Sequence, residues 1–179
     1  MYYGLVLIGV IITLSAQVFV NSTYSKNKKI KNKNGITGAD AARTILDKNG
    51  LQNIKVVETS GMLSDHYDPK AKTIRLSSDI YNSTSVASVA VAAHEVGHAI
   101  QDKNNYLFLK VRNSIVPLVN FSSYAGYFAI TIGLIFSILD FVWLGIILEC
   151  VILGFQMITL PVEFNASSRA LKQIKQLTL

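Results

Sequence analysis

The segment HEVGH, residues 94–98, combines the residue types of a zinc site with those of a hydrolase. On a helix, a spacing of four places His94 and His98 one turn apart on the same face, where both imidazoles can bind one zinc ion. Glu95 is adjacent to the first ligand, near the open coordination position of the ion. A carboxylate there can accept a proton from water whose pKa the metal has lowered, and can later deliver it to the leaving amine. The spacing therefore predicts a zinc peptidase site with Glu95 as the general base.

A third protein ligand must lie elsewhere, because no histidine follows His98 in the chain. This excludes the metzincin pattern, which has a third histidine a few residues further on. The one cysteine, Cys150, lies in an apolar run, so the ligands must be imidazole and carboxylate. Glu163, in LPVEFNASSRA, is the preferred candidate, with Asn165 as a hydrogen-bonding partner of the site. The alternative interpretation of Glu163 is an ordinary glutamate that the dipole of a helix N-terminus favours.

His66, in SDHYDP, competes with Glu163 as the third ligand. A histidine in a turn is more often solvated or structural. His66 or Tyr67 could also donate a hydrogen bond to a tetrahedral oxyanion, and both are retained as catalytic candidates in that role. If His66 instead closed the site as a fourth ligand, the chain would be a non-catalytic zinc-binding scaffold or adaptor, which is the alternative function.

The elements that position these residues belong to a membrane protein, since 50% of the 179 residues are hydrophobic and the mean hydropathy is +0.36. Apolar runs at residues 1–20, 114–139 and 141–161 predict three transmembrane helices, the last two joined at Asp140. A cleaved signal peptide is the alternative for the first run, but the lysines follow it rather than precede it. Glu149 falls inside the third span, where a carboxylate is costly, and its role stays open.

The positive charges predict the orientation in the membrane. All 17 Lys and Arg residues lie between Lys26 and Arg112 or after Pro161. The positive-inside rule places both regions in the cytoplasm, with the N-terminus and Asp140 outside. The basic segment 21–35 is predicted to be a juxtamembrane linker near anionic headgroups. The net charge of +6 does not indicate nucleic acid, because no basic face is interleaved with aromatic residues. The predicted partners are therefore a polypeptide substrate and the lipid membrane.

A small cytoplasmic domain is predicted at residues 36–113. Its first helix covers residues 37–49, with Thr37 as N-cap, Asp40 completing a capping box and Gly50 ending the helix. The other predicted elements are strands at residues 54–58 and 72–77, a helix from 84 to 101 that carries HEVGH, and a cytoplasmic helix at 162–179 after a break at Pro161.

The strand at 72–77 alternates polar and apolar residues as an edge strand would, and we expect it to pair with an extended substrate. The HEVGH helix is too short in its apolar part to span a bilayer, which leaves intramembrane cleavage a minor alternative. The predicted fold class is α+β: a mainly helical membrane protein with a short β-sheet and a zincin-like domain.

Four separate segments carry a resemblance to a known family: GITGADAARTILDKNGL, LSDHYDPKAKTIRLSSDIY, VAAHEVGHAIQ and QMITLPVEFNASSRAL. The chain resembles the YugP-like family of neutral zinc metallopeptidases, which are bacterial integral membrane proteins. This resemblance implies a membrane-anchored zinc peptidase with His94, His98 and Glu163 as ligands and Glu95 as base. Members usually continue well beyond the position of Leu179, so a shortened family member is expected. The sequence leaves the natural substrate and the oligomeric state open.

Overall fold

The computed structural model describes residues 2–61 and 64–178 of the chain. Its helices are α1 (Tyr2–Lys28), α2 (Gly38–Lys48), α3 (Ser78–Tyr81), α4 (Val86–Lys103), α5 (Leu107–Ile135) and α6 (Leu139–Leu177), and its strands are β1 (Lys55–Thr59), β2 (His66–Asp68) and β3 (Thr73–Ser77). Helices α1, α5 and α6 are each long and apolar enough to cross a membrane. The prediction of a mainly helical protein with a short sheet and three helices of membrane length is confirmed.

Helix α2 begins at the predicted N-cap. The hydroxyl oxygen of Thr37 accepts the backbone N–H of Asp40 at 3.1 Å, and the carboxylate of Asp40 accepts the backbone N–H of Thr37 at the same distance. The Thr37 hydroxyl also donates to this carboxylate at 2.6 Å, and these hydrogen bonds hold the pKa of Asp40 below its usual value. Gly50 follows the helix with φ of 65°, a left-handed conformation that glycine adopts without a Cβ penalty. The predicted capping box is therefore present, and it fixes where α2 starts.

The sheet has the order β1, β3, β2, with β1 parallel and β2 antiparallel to β3. Two predictions are wrong here: β3 is the central strand rather than an edge, and residues 66–68 form β2 instead of belonging to a turn. The polar residues of β3 alternate with apolar ones, yet Thr73 and Ser77 are buried and hydrogen-bonded, and Arg75 is half-buried. The backbone N–H and hydroxyl of Ser77 donate to Asp65 at 2.7 and 3.0 Å. Buried polar groups with partners explain why alternation gave a misleading signal.

Helix α1 continues eight residues beyond the predicted span, so the first part of the predicted linker is helical. The following residues are attached to the beginning of α4 rather than left free in solvent. Backbone hydrogen bonds of Ile30 with Val86 and of Asn32 with Thr84, both at 2.8 Å, attach this segment. Lys28, the last residue of α1, pairs with Asp79 of α3 at 2.6 Å. The end of α1 is therefore fixed relative to the start of α4.

The described residues form two compact units, and the boundary between them falls inside α4. The first unit contains the chain up to Val96 and the residues from Ala170 onward. Its core is aliphatic and lies around α2, β3 and α3, with Ile45, Leu46, Ile54, Ile74, Leu76 and Ile80 all almost fully buried. This core holds the sheet and the first part of α4 together.

The second unit runs from Gly97 to Arg169 and contains α5 and most of α6. The two helices approach closely through glycines, because a Cβ on Gly145 would lie 2.8 Å from the backbone oxygen of Gly126. Small residues permit this approach in membrane helices. The carboxylate of Glu149 lies beside Gly126, 3.2 Å from where a Cβ of that glycine would be. The turn between the helices occupies residues 136–138, just before Asp140.

The predicted break at Pro161 is wrong, because α6 passes through this proline without ending. A proline removes one N–H from the helix, and membrane helices tolerate it where neighbouring groups satisfy the freed backbone. Just past the proline, the amide of Gln101 donates to the carbonyl of Val162 at 2.8 Å, which attaches α6 to α4 at this point. The predicted third span and the predicted cytoplasmic helix are thus one continuous helix.

Candidate metal centre

Helix α4 places His94 and His98 one turn apart on a single face. Between them, Gly97 lies against the backbone of α6, since a Cβ at this position would be 2.5 Å from the carbonyl oxygen of Ala166. No larger residue fits at that distance without moving one of the helices. The glycine inside HEVGH therefore permits the close approach that brings α6 to the histidine face.

Glu163 reaches the histidines from α6. The Nε2 atom of His98 and the Oε2 atom of Glu163 are 3.5 Å apart, and ligand atoms of His94, His98 and Glu163 all lie within 4.8 Å of one another. A separation of 3.5 Å is long for a hydrogen bond. It is close to the distance of about 3.4 Å between two ligands of a tetrahedral zinc ion with bonds of about 2.0–2.1 Å. The donor set of two imidazoles and one carboxylate also suits zinc, so these residues fit the ion.

A buried amide sets the hydrogen bond made by Nδ1 of His98. Gln101 is fully buried, and its Nε2 donates to the carbonyl oxygen of Val162, which can only accept. This fixes the orientation of the amide, so the Oε1 atom of Gln101 lies 3.0 Å from Nδ1 of His98 and accepts its proton. Nδ1 of His98 therefore carries hydrogen, which leaves Nε2, the atom nearer Glu163, as the nitrogen that can bind a metal. Metal-binding histidines commonly have such a hydrogen-bond partner.

Asn165 supports this arrangement from α6. Its Oδ1 accepts a hydrogen bond from Gln101 at 3.0 Å and another from Nε of Arg169 at 2.7 Å. Asn165 therefore acts on the predicted site through Gln101, in a chain of hydrogen bonds that starts at a cation and ends at a histidine ring. Such connected networks hold each member in one rotamer.

Glu95 lies at the other end of the motif and is 8% exposed. A cavity of about 280 Å³ adjoins it, lined by Tyr24, Asp65, Val91, His94 and Glu95. Asp65 is held in place by the backbone N–H of Ser77. A largely buried carboxylate that lines a cavity beside a histidine can act as a general base.

The other two predicted residues, His66 and Tyr67, lie on β2. Neither residue lines the cavity beside Glu95. Within the described part of the chain, His66 is not one of the residues whose ligand atoms converge, which are His94, His98 and Glu163. The ring of His66 is exposed, and its Nδ1 lies 2.7 Å from the carbonyl oxygen of Ser64. Successive side chains of a strand point to opposite faces, so at most one of the two can be directed towards a substrate on a given side.

Sequence reasoning missed three residues that surround the site. Gln101 follows His98 by three positions, and this helical spacing is a signal by which it could have been found. Tyr24 and Asp65 gave no comparable signal. Both reach α4 only through long-range packing, which leaves no periodic trace in the sequence.

Comparison with known proteins gives the family of the chain. The model of the family described as "Putative neutral zinc metallopeptidase" matches residues 2–179. The chain is 46% identical to "Putative membrane protease YugP" of Bacillus subtilis (strain 168) over 159 residues, which cover 89% of this chain and 70% of that protein. No solved structure matches.

Proposed function

Because the chain belongs to the Putative neutral zinc metallopeptidase family, we propose that it is a membrane-anchored, zinc-dependent endopeptidase. The observation that supports this most strongly is the convergence of His94, His98 and Glu163, with ligand atoms within 4.8 Å of one another, beside the buried Glu95. Three protein ligands leave one position of a tetrahedral zinc ion open, which distinguishes catalytic zinc sites from structural ones.

The residues then have separate tasks in peptide hydrolysis. His94, His98 and Glu163 would hold the ion, whose Lewis acidity lowers the pKa of water and polarises a carbonyl group. Glu95 accepts the proton of the attacking water and passes it to the nitrogen of the leaving amine. Gln101 accepts the Nδ1 hydrogen of His98, so that Nε2 is the ligand atom of the neutral ring.

The substrate cannot pair with β3, because both of its neighbours in the sheet are already in place. The outer strand β2 is the better candidate for pairing with an extended peptide. Asp65 immediately precedes β2 and lines the same cavity as Glu95, which links this strand to the reaction centre. In this arrangement His66 or Tyr67 would lie beside the bound peptide, and one of them would donate a hydrogen bond to the oxyanion.

We place the site at the cytoplasmic face of the cell membrane, with the N-terminus outside. The distribution of basic residues supports this orientation, and an even number of spans between His98 and Glu163 agrees with their separation of 3.5 Å. Labelling of intact cells with a membrane-impermeant maleimide tests it in a Cys150→Ser background. Asp140→Cys should be labelled and Lys33→Cys should be protected, and the reverse pattern would contradict the orientation.

The proposed function is tested by metal content and peptide cleavage of detergent-purified protein. Wild type should bind about one zinc per chain and cleave an unfolded protein substrate. Glu163→Ala should lose both properties, while His66→Ala should keep its zinc. Zinc that persists in Glu163→Ala would remove Glu163 from the ligand set. Zinc bound by the wild type without any cleavage would favour the non-catalytic scaffold.

A further inference from the structure

An apolar groove of about 480 Å³ lies between the end of α1 and the beginning of α4. It is lined by Phe19, Val20, Thr23, Tyr24 and Asn27 of α1 and by Val86, Ala87, Ala90 and Val91 of α4. Its size is within the range of about 300–1,000 Å³ that is common for ligand sites. None of the lining residues carries a charge, so the groove favours an apolar occupant.

The spacing of these residues shows that the groove is formed by one face of each helix. On α1 and on α4 the lining residues recur at intervals of three and four, which is the repeat of a helix face. Just after α1, the carbonyl of Ile30 accepts the backbone N–H of Val86 at 2.8 Å, which joins the end of α1 to the beginning of α4. The groove therefore lies between two helices whose adjacent ends are attached.

The groove is continuous with the reaction centre, because Tyr24 and Val91 line both it and the cavity beside Glu95. A helix rises about 1.5 Å per residue, so Ala90 and Val86 lie about 6 and 12 Å before His94 along α4. An extended peptide advances about 3.3 Å per residue. Side chains in the groove would therefore come from residues two to four positions away from the bond being cleaved.

The sequence of α1 indicates that the groove lies at the level of the membrane surface. Phe19 and Val20 belong to the apolar length of α1 and are largely exposed, at 70% and 58%. The basic residues that follow them on α1, beginning with Lys26, mark the boundary with water. A polypeptide that leaves the bilayer beside α1 would bring its apolar residues to this groove first.

We propose that the groove binds apolar side chains of a polypeptide substrate, two to four residues from the scissile bond, and so selects segments that emerge from the lipid bilayer. This inference rests on the proposed peptidase function for its place in catalysis. The binding of apolar peptide in the groove can be measured separately.

Two matched flexible peptides test the proposal. One carries leucines, including a photoreactive leucine analogue, at two to four positions on either side of the central bond, and the other carries serines there. We expect kcat/KM to be about tenfold or more higher for the leucine peptide, as burial of one such side chain allows. Ala90→Phe, which fills the groove, should reduce this ratio to about twofold. The same change at an exposed turn residue, Ala71→Phe, should leave the ratio unaltered.

Crosslinking separates failure of the groove from failure of the peptidase. In zinc-loaded Glu95→Gln, which retains peptide, the analogue should attach to residues 19–27 or 86–91. Cleavage by wild type without leucine preference, or attachment elsewhere, would contradict the proposed role of the groove but not the proposed peptidase function. Attachment in the groove without cleavage by wild type would support peptide binding in the groove and contradict the proposed peptidase function. Attachment there of a photoreactive lipid alone would show that the occupant is lipid, against the proposal.

Discussion

The two ends of the motif on α4 have different surroundings. His98 is joined to the fully buried Gln101, whose amide is in turn bonded to backbone and side-chain oxygens of α6. His94 and Glu95 line a cavity of about 280 Å³ that adjoins the apolar groove. One end is thus built for rigidity and the other leaves space for reactants. A hydrolytic site needs both properties, because ligands must be held while water and peptide come and go.

The largest expected effect on peptide cleavage comes from changing Glu95, at the end of the motif that lines the cavity. Glu95→Gln removes the group that accepts the proton of water, so peptide cleavage should fall by about 10²–10⁴-fold. The ligand set is unchanged, and zinc content measured by mass spectrometry should stay near one per chain. Full activity in this variant would show that the two ends do not differ in the way proposed.

Gly97 lies between the two ends, and Gly97→Ala tests whether α6 must approach α4 closely. The new methyl group would lie 2.5 Å from the carbonyl oxygen of Ala166, which should destabilise the fold by about 1–3 kcal/mol. Zinc affinity should fall with it, because Glu163 is carried on the displaced helix. Gly154→Ala, where nothing lies within 4 Å of the new atom, is the matched control. Equal thermal melts and zinc titrations for the two variants would contradict the close approach.

The rigid end is tested by Gln101→Leu, which keeps the volume but removes the acceptor for Nδ1 of His98. Loss of such a partner typically lowers metal affinity about 10–100-fold. Competition with a chelator measures this, and the spectrum of bound Co²⁺ should report an altered ligand field at His98. Gln52→Leu, at an exposed glutamine, should change neither. An unaltered affinity in Gln101→Leu would mean that His98 needs no support from the amide.

The smallest expected effect comes from a change at the start of α2, away from α4. This change should alter the stability of the fold without altering zinc affinity. Asp40→Ala removes the hydrogen bonds with Thr37 at the start of α2, at a cost of about 0.5–1.5 kcal/mol at neutral pH. The pKa of Asp40 is lowered in the folded state, so its contribution is present above about pH 4 and is lost as pH falls through the folded pKa. Melting temperatures of wild type and variant should therefore converge in acid. An undiminished difference in strong acid, or altered zinc affinity at pH 7, would contradict this local role.

Short-range features were predictable from sequence. The capping box of Thr37 and Asp40 and the helical spacing of His94 and His98 involve residues at most four positions apart. Two errors arose where long-range contacts decided the outcome. Pro161 lies within α6, which packs against α4 just after the proline, at Val162 and Ala166. Strand β3 is central because β1 and β2 pair with its two sides.

The sequence by itself determined the histidine pair, the adjacent glutamate and the apolar helices, because each depends on a local repeat or on the length of one segment. Only the tertiary structure decided that Glu163 lies 3.5 Å from His98, that Gln101 orients that ring, and that α1 and α4 enclose an apolar groove. His98 and Glu163 are separated by 65 positions in the chain, and the two helix faces that line the groove are about as far apart. Contacts over such distances arise from burial and close helix packing, which leave no periodic pattern to be read in advance.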